Sequence, residues 1–243
     1  MKILKISSPR TKRISVRGKK NFKEAVKIAV KSIKQGEVMI CPTDTVYGLL
    51  ADAQNKNAIK KLFEIKKRPK EKAIPIFVKD IKTAKRLAYI NGSQEKFLKK
   101  FWPGRITVVL KNKEKLPKIL FGPTKKIGLR IPNYKLVNLL LKKLNRPLTG
   151  TSANISGKFP STKIKEVIKQ FKNQPLTTSR GKGLDQAKRT KSGGGQPDLI
   201  LDAGNLLKSK PSTVIDLTTP KPKILRVGPL TKKQLEKFLI FNF

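Results

Sequence analysis

Hydrophobic and polar positions follow two periods along the chain, and each period predicts one type of element. The first helix is predicted to begin at Asn21, where Glu24 completes a capping box, and to end at Gly36. Its apolar stripe consists of Phe22, Ala25, Val26, Ala29 and Ile33. The next run, EVMICPT, is short and apolar, which is typical of a buried strand.

The same two patterns continue to the end of the chain. Further helices are predicted at 57–66, 80–89 and 93–101, over YKLVNLLLKKL, near 162–171 and over LTKKQLEKFLIF. Further strands are predicted at AIPIFVK, ITVVL, IGLRIP, DLILDAG, PSTVIDL and KILRVG. Because helices and strands intermix throughout and no internal repeat occurs, we expect one mixed α/β domain.

Two stretches depart from these patterns. Residues 1–20 are basic, with one short candidate strand in MKILKIS, and form a predicted N-terminal extension to a domain at 21–243. Residues 177–195, TTSRGKGLDQAKRTKSGGG, are glycine-rich and basic, and one leucine is their only sizeable apolar residue. Such a stretch cannot bury enough apolar surface to order itself, so we predict a flexible insert.

Length and hydropathy indicate a globular protein. The chain has 243 residues, of which 37% are hydrophobic, enough for a sizeable core. No apolar stretch approaches the roughly 20 residues that span a bilayer, and the basic start lacks the apolar segment of a secretory signal. We therefore expect a cytoplasmic protein that does not contact a membrane.

The formal net charge is +42, from 57 Lys and Arg against 15 Asp and Glu. This much positive potential attracts RNA, DNA and nucleotides. Most of the excess is lysine spread along the whole chain, however, and compositional drift in an AT-rich genome explains it equally well. Charge alone therefore does not select a function.

Histidine is absent, and Cys41 is the single cysteine. Ser-His-Asp and Cys-His nucleophile systems are therefore excluded, a structural zinc site is implausible, and no internal disulfide can form. Cys41 lies in an apolar strand, which favours an inert buried thiol over a nucleophile. Any catalysis must use cations, hydroxyls, amides and groups on the substrates.

Three polar clusters interrupt the apolar pattern, and each has a structural alternative. TDTVYG at 43–48 follows a strand end, where it can bind a small ligand or complete a turn. KKRP at 66–69 can bind an anion or place cations at a helix C-terminus. TSANISG at 151–157 can approach a nucleotide closely or cap the next helix.

A fourth set consists of single polar residues inside strands: Arg130 in IGLRIP, Ser212 and Thr213 in PSTVID, and Arg226 in KILRVG. An arginine in an apolar strand either pairs with an acid or binds an anionic ligand. Because acids are scarce in this chain, we favour a ligand. No phosphate-binding loop of the Walker A type or dinucleotide fingerprint occurs.

Read in order, these clusters resemble the YrdC-like family of threonylcarbamoyl-AMP synthases. The matching words are PTDTVYGL, IKKRP followed by KAIPI, WPGRITVVL, IGLRIP, TSANISGK, DLILDAG, PSTVID and ILRVG. They extend over about 25–230, nearly the whole chain. The resemblance implies an α/β fold with a twisted, mixed, open sheet, flanking helices and a large basic cavity.

The resemblance also implies a reaction. L-threonine, bicarbonate and ATP would give threonylcarbamoyl-adenylate and pyrophosphate, with Mg²⁺ carried by the ATP. The product serves N6-threonylcarbamoyladenosine formation at position 37 of tRNAs that read codons beginning with A, so a TsaD-type transferase complex is an implied partner and tRNA or another RNA a further one. Threonine carbamate carries its own nucleophilic carboxylate, which suits a protein without histidine.

The resemblance assigns roles to nine residues. Lys66, Arg68, Ser152 and Asn154 match the family's K-x-R and S-x-N signatures and are the implied catalytic residues. The implied substrate-binding residues are Thr45, Tyr47, Arg130, Ser212 and Arg226. Thr45 would contact threonine, and Lys66 and Arg68 the carboxylate and phosphates. Arg130 would bind another anionic group, Tyr47 would wall the pocket, and the remaining residues would hold the nucleotide.

The chain departs from the family pattern at three places. Phe77 stands where a histidine commonly lines the threonine site, Arg105 stands where proline is common, and the order Pro160-Ser161-Thr162 replaces S-P-T. None of these changes removes a charge that the mechanism needs. One alternative hypothesis is a basic RNA-binding protein on the same scaffold without catalysis, and another is a related YrdC-type protein with other carbamoyl chemistry.

Overall fold

The computed structural model of the protein describes residues 4–5, 12–17, 19–172 and 195–239. The helices of these residues are α1 (Lys19–Lys34), α2 (Lys56–Lys66), α3 (Ile81–Leu87), α4 (Gly92–Phe101), α5 (Lys135–Leu144), α6 (Ile164–Lys172) and α7 (Lys232–Leu239). The strands are β1 (Leu4–Lys5), β2 (Lys12–Ser15), β3 (Met39–Cys41), β4 (Gly48–Leu50), β5 (Ile76–Phe77), β6 (Ala88–Tyr89), β7 (Ile106–Asn112), β8 (Lys126–Arg130), β9 (Leu148–Thr149), β10 (Thr151–Ser152), β11 (Leu199–Asp202), β12 (Thr213–Asp216) and β13 (Lys223–Arg226).

The strands form two mixed ladders. The first has the order β1-β2-β11-β3-β4-β10, and the second has the order β13-β12-β7-β8-β5-β9, with β6 paired to β7. An antiparallel bridge between Asp52 and Leu148 links the two. Both ladders combine parallel pairs, such as β12 with β7, and antiparallel pairs, such as β7 with β8. The predicted α/β class with mixed strand pairing is confirmed.

Apolar side chains form two cores, one on each side of this arrangement. The larger core contains the apolar faces of α2, α4 and α6 together with residues of β7 and β8. In the second core α1 packs against α5 and covers Met39, Cys41 and Leu50. Leu136 and Leu140 of α5 are buried there, while Leu139 is half-buried. Strands β4 and β5 contribute to both cores, because their successive residues point to opposite faces.

Helix α2 illustrates how the sequence determines the local structure near this junction. Asn55 caps it, because its side-chain oxygen accepts from the backbone N–H groups of Asn57 and Ala58. The helix ends at Lys66, and Lys67 adopts a left-handed conformation with φ 49°. The predicted helix at 57–66 is therefore confirmed within one residue.

The predicted start of the first helix is wrong. Helix α1 begins at Lys19, so Asn21 lies inside the helix rather than at its N-cap. Lysine is a good helix former, and nothing before Asn21 stops the helix from extending. Similarly, AIPIFVK yields only Ile76–Phe77 as a strand, because Pro75 has no N–H to donate to a ladder.

The predicted N-terminal extension contributes a strand to the domain. Within 1–20, β2 pairs in parallel with β11, with Ile14 opposite Leu201. Of the insert predicted at 177–195, residues 177–194 lie outside the described residues, and Gly195 is buried. In the parts of the chain that the structure describes, no helix combines the length and apolar character needed to cross a membrane.

Candidate active site

A cavity of about 180 Å³ opens where the two ladders meet. Its walls come from the β3–β4 loop, the segment between α2 and β5, the end of β8, the β9–β10 turn and the starts and ends of β12 and β13. The predicted site residues that line it are Thr45, Tyr47, Arg68, Arg130, Ser152, Ser212 and Arg226. Residues far apart in sequence thus converge on one hollow.

The β3–β4 loop is held in a tight turn by its own hydroxyls. Thr43 Oγ1 accepts from the N–H of Thr45 at 3.1 Å and donates to the carbonyl of Val46 at 2.7 Å. It also lies 3.1 Å from Thr45 Oγ1. The turn and the ligand-binding interpretations of TDTVYG are therefore compatible, since the turn presents Thr45 to the cavity.

Tyr47 anchors the loop that follows β11. Its hydroxyl donates to the carbonyl of Gly204 at 2.7 Å and accepts from the N–H of Ala203 at 3.1 Å. The side chain is fully buried, and this burial raises the pKa of Tyr47 well above its usual value. Tyr47 walls the cavity with its ring, and its hydroxyl is already occupied.

Arg130 has an acidic partner, which the scarcity of acids did not lead us to expect. Its Nη2 lies 2.5 Å from Asp44 Oδ1, and both side chains are about 95% buried. Asp44 also accepts from the N–H of Asn133 at 3.0 Å, and Arg130 donates to the carbonyl of Gly104 and weakly to Thr45 Oγ1. Burial lowers the pKa of Arg130, and the Asp44 carboxylate opposes that shift.

Arg68 lies at the cavity wall and leaves part of its guanidinium unbonded. Nε donates to the carbonyl of Lys72 at 3.0 Å and Nη2 to that of Ala73 at 2.7 Å. Burial lowers the pKa of Arg68, and among the described residues no acid pairs with it. The remaining N–H groups are available to an anion in the cavity.

Lys66 lies behind the wall rather than in it. Its ammonium donates to the carbonyl of Ser152 at 2.6 Å, the carbonyl of Asn154 at 2.9 Å and Asn154 Oδ1 at 3.0 Å. Three acceptors use all three N–H bonds. Burial, followed by the positive charge of Arg68, lowers the pKa of Lys66 to about 7. The K-x-R and S-x-N segments are thus physically joined.

The S-x-N segment is a bonded turn. Ser152 Oγ donates to Asn154 Oδ1 at 2.6 Å, and Asn154 Nδ2 donates to the carbonyls of Ile155 and Lys158. Helix α6 begins only at Ile164, so the alternative that these residues cap it is wrong. Asn154 is buried behind Ser152, and it shapes the wall without lining it.

Ser212 and Arg226 form the wall of the cavity on the side of β12 and β13. Arg226 donates to the carbonyl of Ser212 from Nε at 3.0 Å and from Nη2 at 2.8 Å, and Nη2 is 3.2 Å from Ser212 Oγ. Ser212 Oγ is also 2.9 Å from Thr107 Oγ1. Within the described ranges Arg226 has no acidic partner, which agrees with the interpretation that it binds an anionic ligand.

Sequence reasoning missed two features of this site. Asp44 lies inside the TDTVYG cluster, but no sequence pattern indicates its pairing with Arg130, which is 86 positions away. Phe77 departs from the family pattern, but the sequence gives no sign that its ring lines the cavity. The ring packs on Gly150, and the Arg130 guanidinium lies over it at 5.7 Å from the ring centre. A Cβ at Gly150 would overlap that ring, so the pair is tightly fitted.

The lining combines Arg68, Arg130 and Arg226 with hydroxyl groups and contains no acidic side chain. Arginine binds carboxylates and phosphates through its planar set of donors. The cavity is therefore suited to hold more than one anionic group, with small hydroxyls beside them. It contains no side chain that could act as a histidine-type base, since the chain has none.

Comparison with known proteins gives concordant matches. The sequence model of the Sua5/YciO/YrdC family, described as "Telomere recombination", matches residues 31–183. The chain is 33% identical over 215 residues to the threonylcarbamoyl-AMP synthase of Pyrococcus abyssi, covering 88% of the chain and 57% of the relative. A Methanocaldococcus jannaschii relative with the same name, given provisionally, is 33% identical over 220 residues, covering 88% and 91%.

A solved structure supports the same relation. The crystal structure of the Pyrococcus abyssi Sua5 complexed with L-threonine superimposes with a TM-score of 0.78 at 31% identity, covering 93% of this chain and 60% of that one. The chain thus spans less than two thirds of the Pyrococcus abyssi protein but nearly all of the Methanocaldococcus jannaschii relative.

Proposed function

The chain belongs to the Sua5/YciO/YrdC family, and from that premise we propose that it is a threonylcarbamoyl-AMP synthase. The amine of L-threonine combines with bicarbonate to give a carbamate and water. A carbamate oxygen then attacks the α-phosphorus of ATP, and pyrophosphate leaves with the electrons of the broken P–O bond. The protein supplies position and positive charge rather than a nucleophile of its own.

The convergence of cations and hydroxyls on one cavity carries this proposal. Arg68 has free donors at the wall and is suited to the carbamate carboxylate and the reacting phosphate. Thr45 and Arg130 lie together on another wall, where they are suited to the α-carboxylate and hydroxyl of threonine. A relative that is named threonylcarbamoyl-AMP synthase supports the assignment of this function.

The nucleotide is assigned to the walls formed by Ser152, Ser212 and Arg226. Ser152 is held by Asn154 in a small-residue turn that allows a close approach of the sugar or phosphate. Arg226 presents charge without an acidic partner in the described residues. ATP would bring its own Mg²⁺, bound by its phosphates.

Lys66 receives a different role from the one the sequence suggested. Its three N–H bonds are used on Ser152 and Asn154, so we assign it to positioning the S-x-N turn rather than to direct contact with phosphate. Fixed donors that need no rearrangement during reaction are the most effective electrostatic catalysts. A rigid turn at Ser152 therefore contributes to catalysis through the nucleotide it holds.

A TsaD-type transferase complex would accept the adenylate and transfer the threonylcarbamoyl group to tRNA. The basic surface, with a net charge of +42, is suited to an encounter with tRNA or another RNA. The RNA-binding alternative without catalysis rests on the same charge. The two are separated by chemistry rather than by affinity.

The test is release of pyrophosphate from ATP by the purified chain. We expect release only when threonine and bicarbonate are both present, with threonylcarbamoyl-AMP detected by mass spectrometry. Asn154→Ala and Arg68→Ala should each reduce the rate at least about 100-fold, as loss of a preorganised group does. Lys60→Ala, on the exposed face of α2, serves as the matched control. ATP turnover indifferent to threonine would reject the synthase assignment.

A further inference from the structure

Arg105 lies in a turn that is built onto Arg130. The N–H of Gly104 donates to the carbonyl of Ile131 at 2.9 Å, and the carbonyl of Gly104 accepts from Arg130 Nε at 2.9 Å. A Cβ at residue 104 would overlap the carbonyl oxygen of Phe101, so this close approach requires glycine. The backbone immediately before Arg105 is therefore fixed against the buried guanidinium.

The backbone at Arg105 is also bonded to the wall that contains Ser212. The carbonyl of Arg105 accepts from the N–H of Thr213 at 3.0 Å, next to Ser212 of the cavity wall. Thr107, two residues on, touches Ser212 with its hydroxyl. The backbone of Arg105, which directly precedes β7, thus lies between the contacts made with Arg130 and with the residue after Ser212, and both Arg130 and Ser212 line the cavity.

The side chain of Arg105 is exposed, and within the described ranges no hydrogen bond or ion pair engages it. Arg130 has Asp44 as its counter-charge, whereas Arg226 has none among the described residues. Burial lowers the pKa of Arg130, and the charges of Arg105 and Arg226 lower it further, so Arg105 and Arg226 each lie within electrostatic range of Arg130. Arg105 and Arg226 therefore carry positive charges that no acid among the described residues compensates, as Arg68 does at the cavity wall.

We propose that Arg105 is a polyphosphate-binding residue at the mouth of the cavity, which with Arg226 holds the β- and γ-phosphates of the nucleoside triphosphate and then the released pyrophosphate. This inference rests on the proposed synthase function. An exposed, unpaired arginine beside the buried Arg130 fits a group that must leave, because the leaving anion departs through the open side. Proline is common at this position in the family that the sequence resembles, so Arg105 places a positive charge here that a proline would not supply.

The test compares Arg105→Gln, Arg105→Lys and Arg86→Gln. Arg86→Gln removes the same charge from a groove remote from the cavity and is the matched control. We expect Arg105→Gln to raise both the KM for ATP and the Kd of inorganic pyrophosphate by about fivefold to tenfold, since a charge-assisted bond is lost. Arg105→Lys should recover part of this, and the KM for threonine should stay within about twofold of wild type because threonine lacks phosphates.

Three outcomes would overturn the inference. They are an unchanged pyrophosphate Kd in Arg105→Gln, an equal rise in Arg86→Gln, or a rise in the threonine KM as large as that for ATP. Thermal unfolding of each variant shows whether the fold is intact. Pyrophosphate binding is measured by titration calorimetry without turnover, so it tests Arg105 even if the wild-type chain makes no adenylate, a result that would instead reject the synthase.

Discussion

Asp44 and Arg130 show how single residues determine the charge of the site. Both side chains are about 95% buried, so each charge is stabilised by the other and hardly at all by water. Removing one partner of a buried pair leaves the second uncompensated, which costs more than the pair itself contributes. The carboxylate also orients Arg130 toward Thr45.

Asp44→Asn should therefore lower the free energy of unfolding by about 3 kcal/mol, because a buried guanidinium loses its counter-charge while the side-chain shape is kept. Urea unfolding at neutral pH measures the change. Glu64→Gln removes one charge from an exposed position of α2 and is the control, with an expected change below about 0.5 kcal/mol. Similar losses in both variants would contradict a special role for the pair.

Lys66 gives the protein a stability that depends on pH. Its pKa is about 7 in the folded protein, against 10.5 for an ordinary lysine. Between these values the unfolded chain binds more protons than the folded one. Because the slope of the unfolding free energy with pH has the sign of that difference, this group makes stability rise with pH from about 7 to about 10, by at most about 1.4 kcal/mol per unit.

We expect the unfolding free energy of Lys66→Met to lack this rise. The difference in stability between wild type and variant should widen in favour of wild type as the pH increases from 7 to 9. Urea unfolding at intermediate pH values measures it, and Lys60→Met, which removes an exposed lysine of the same helix, is the control. Parallel pH profiles for wild type and Lys66→Met would show that Lys66 keeps an ordinary pKa.

At the scale of elements, the β5–β9 pair closes one side of the cavity. Phe77 is opposite Leu148 in this short antiparallel pair, and Gly150 follows directly on β9. The Phe77 ring occupies the space where a Cβ of residue 150 would lie. A two-residue strand therefore keeps its place by side-chain fit as well as by its ladder bonds.

Gly150→Ala should destabilise the fold by about 2 kcal/mol, because inserting a methyl into a packed site forces the ring aside. In a Phe77→Leu background the same substitution should cost less, so the double-mutant cycle should give a coupling of about 1 kcal/mol. Gly92→Ala is the control, since a Cβ there meets no atom within 4 Å. Additive effects of the two substitutions would contradict the steric account.

Elements with a strong local pattern were predictable from the sequence, and those set by long-range contacts were not. Helix α2 follows from its apolar period, and most strands follow from their apolar runs. The predicted start of α1 was wrong because the capping pattern at Asn21 competes with the helix propensity of the lysines that precede it. The placement of Lys66 behind Ser152 depends on partners 86 and 88 positions away, which no local pattern encodes.

At the scale of the whole molecule, the net charge of +42 acts on every anionic ligand. Seven of the nine site residues named from the sequence line the cavity, whereas Lys66 and Asn154 lie behind its wall. The division of strands into two ladders, and hence the position of the cavity between them, required the structure.

Raising the salt concentration should weaken ATP binding more than threonine binding. ATP carries several negative charges and is attracted by the whole positive field, whereas threonine is a zwitterion. From 50 to 500 mM salt we expect the KM for ATP to rise by roughly fivefold or more and that for threonine by less than about twofold. Steady-state kinetics measures both constants. Equal changes would show that the local site, and not the overall charge, governs ATP capture.

The bonding of Lys66 also determines what must be moved if the turn at 151–157 is transferred to another scaffold. The segment 151–157 owes its shape to an ammonium group that arrives from a helix far upstream in the chain. A graft of the turn alone would leave the carbonyl of Asn154 without its donor, and would remove one of two donors from the carbonyl of Ser152 and from Asn154 Oδ1. The C-terminal end of α2 and the turn at 151–157 therefore have to be transferred together.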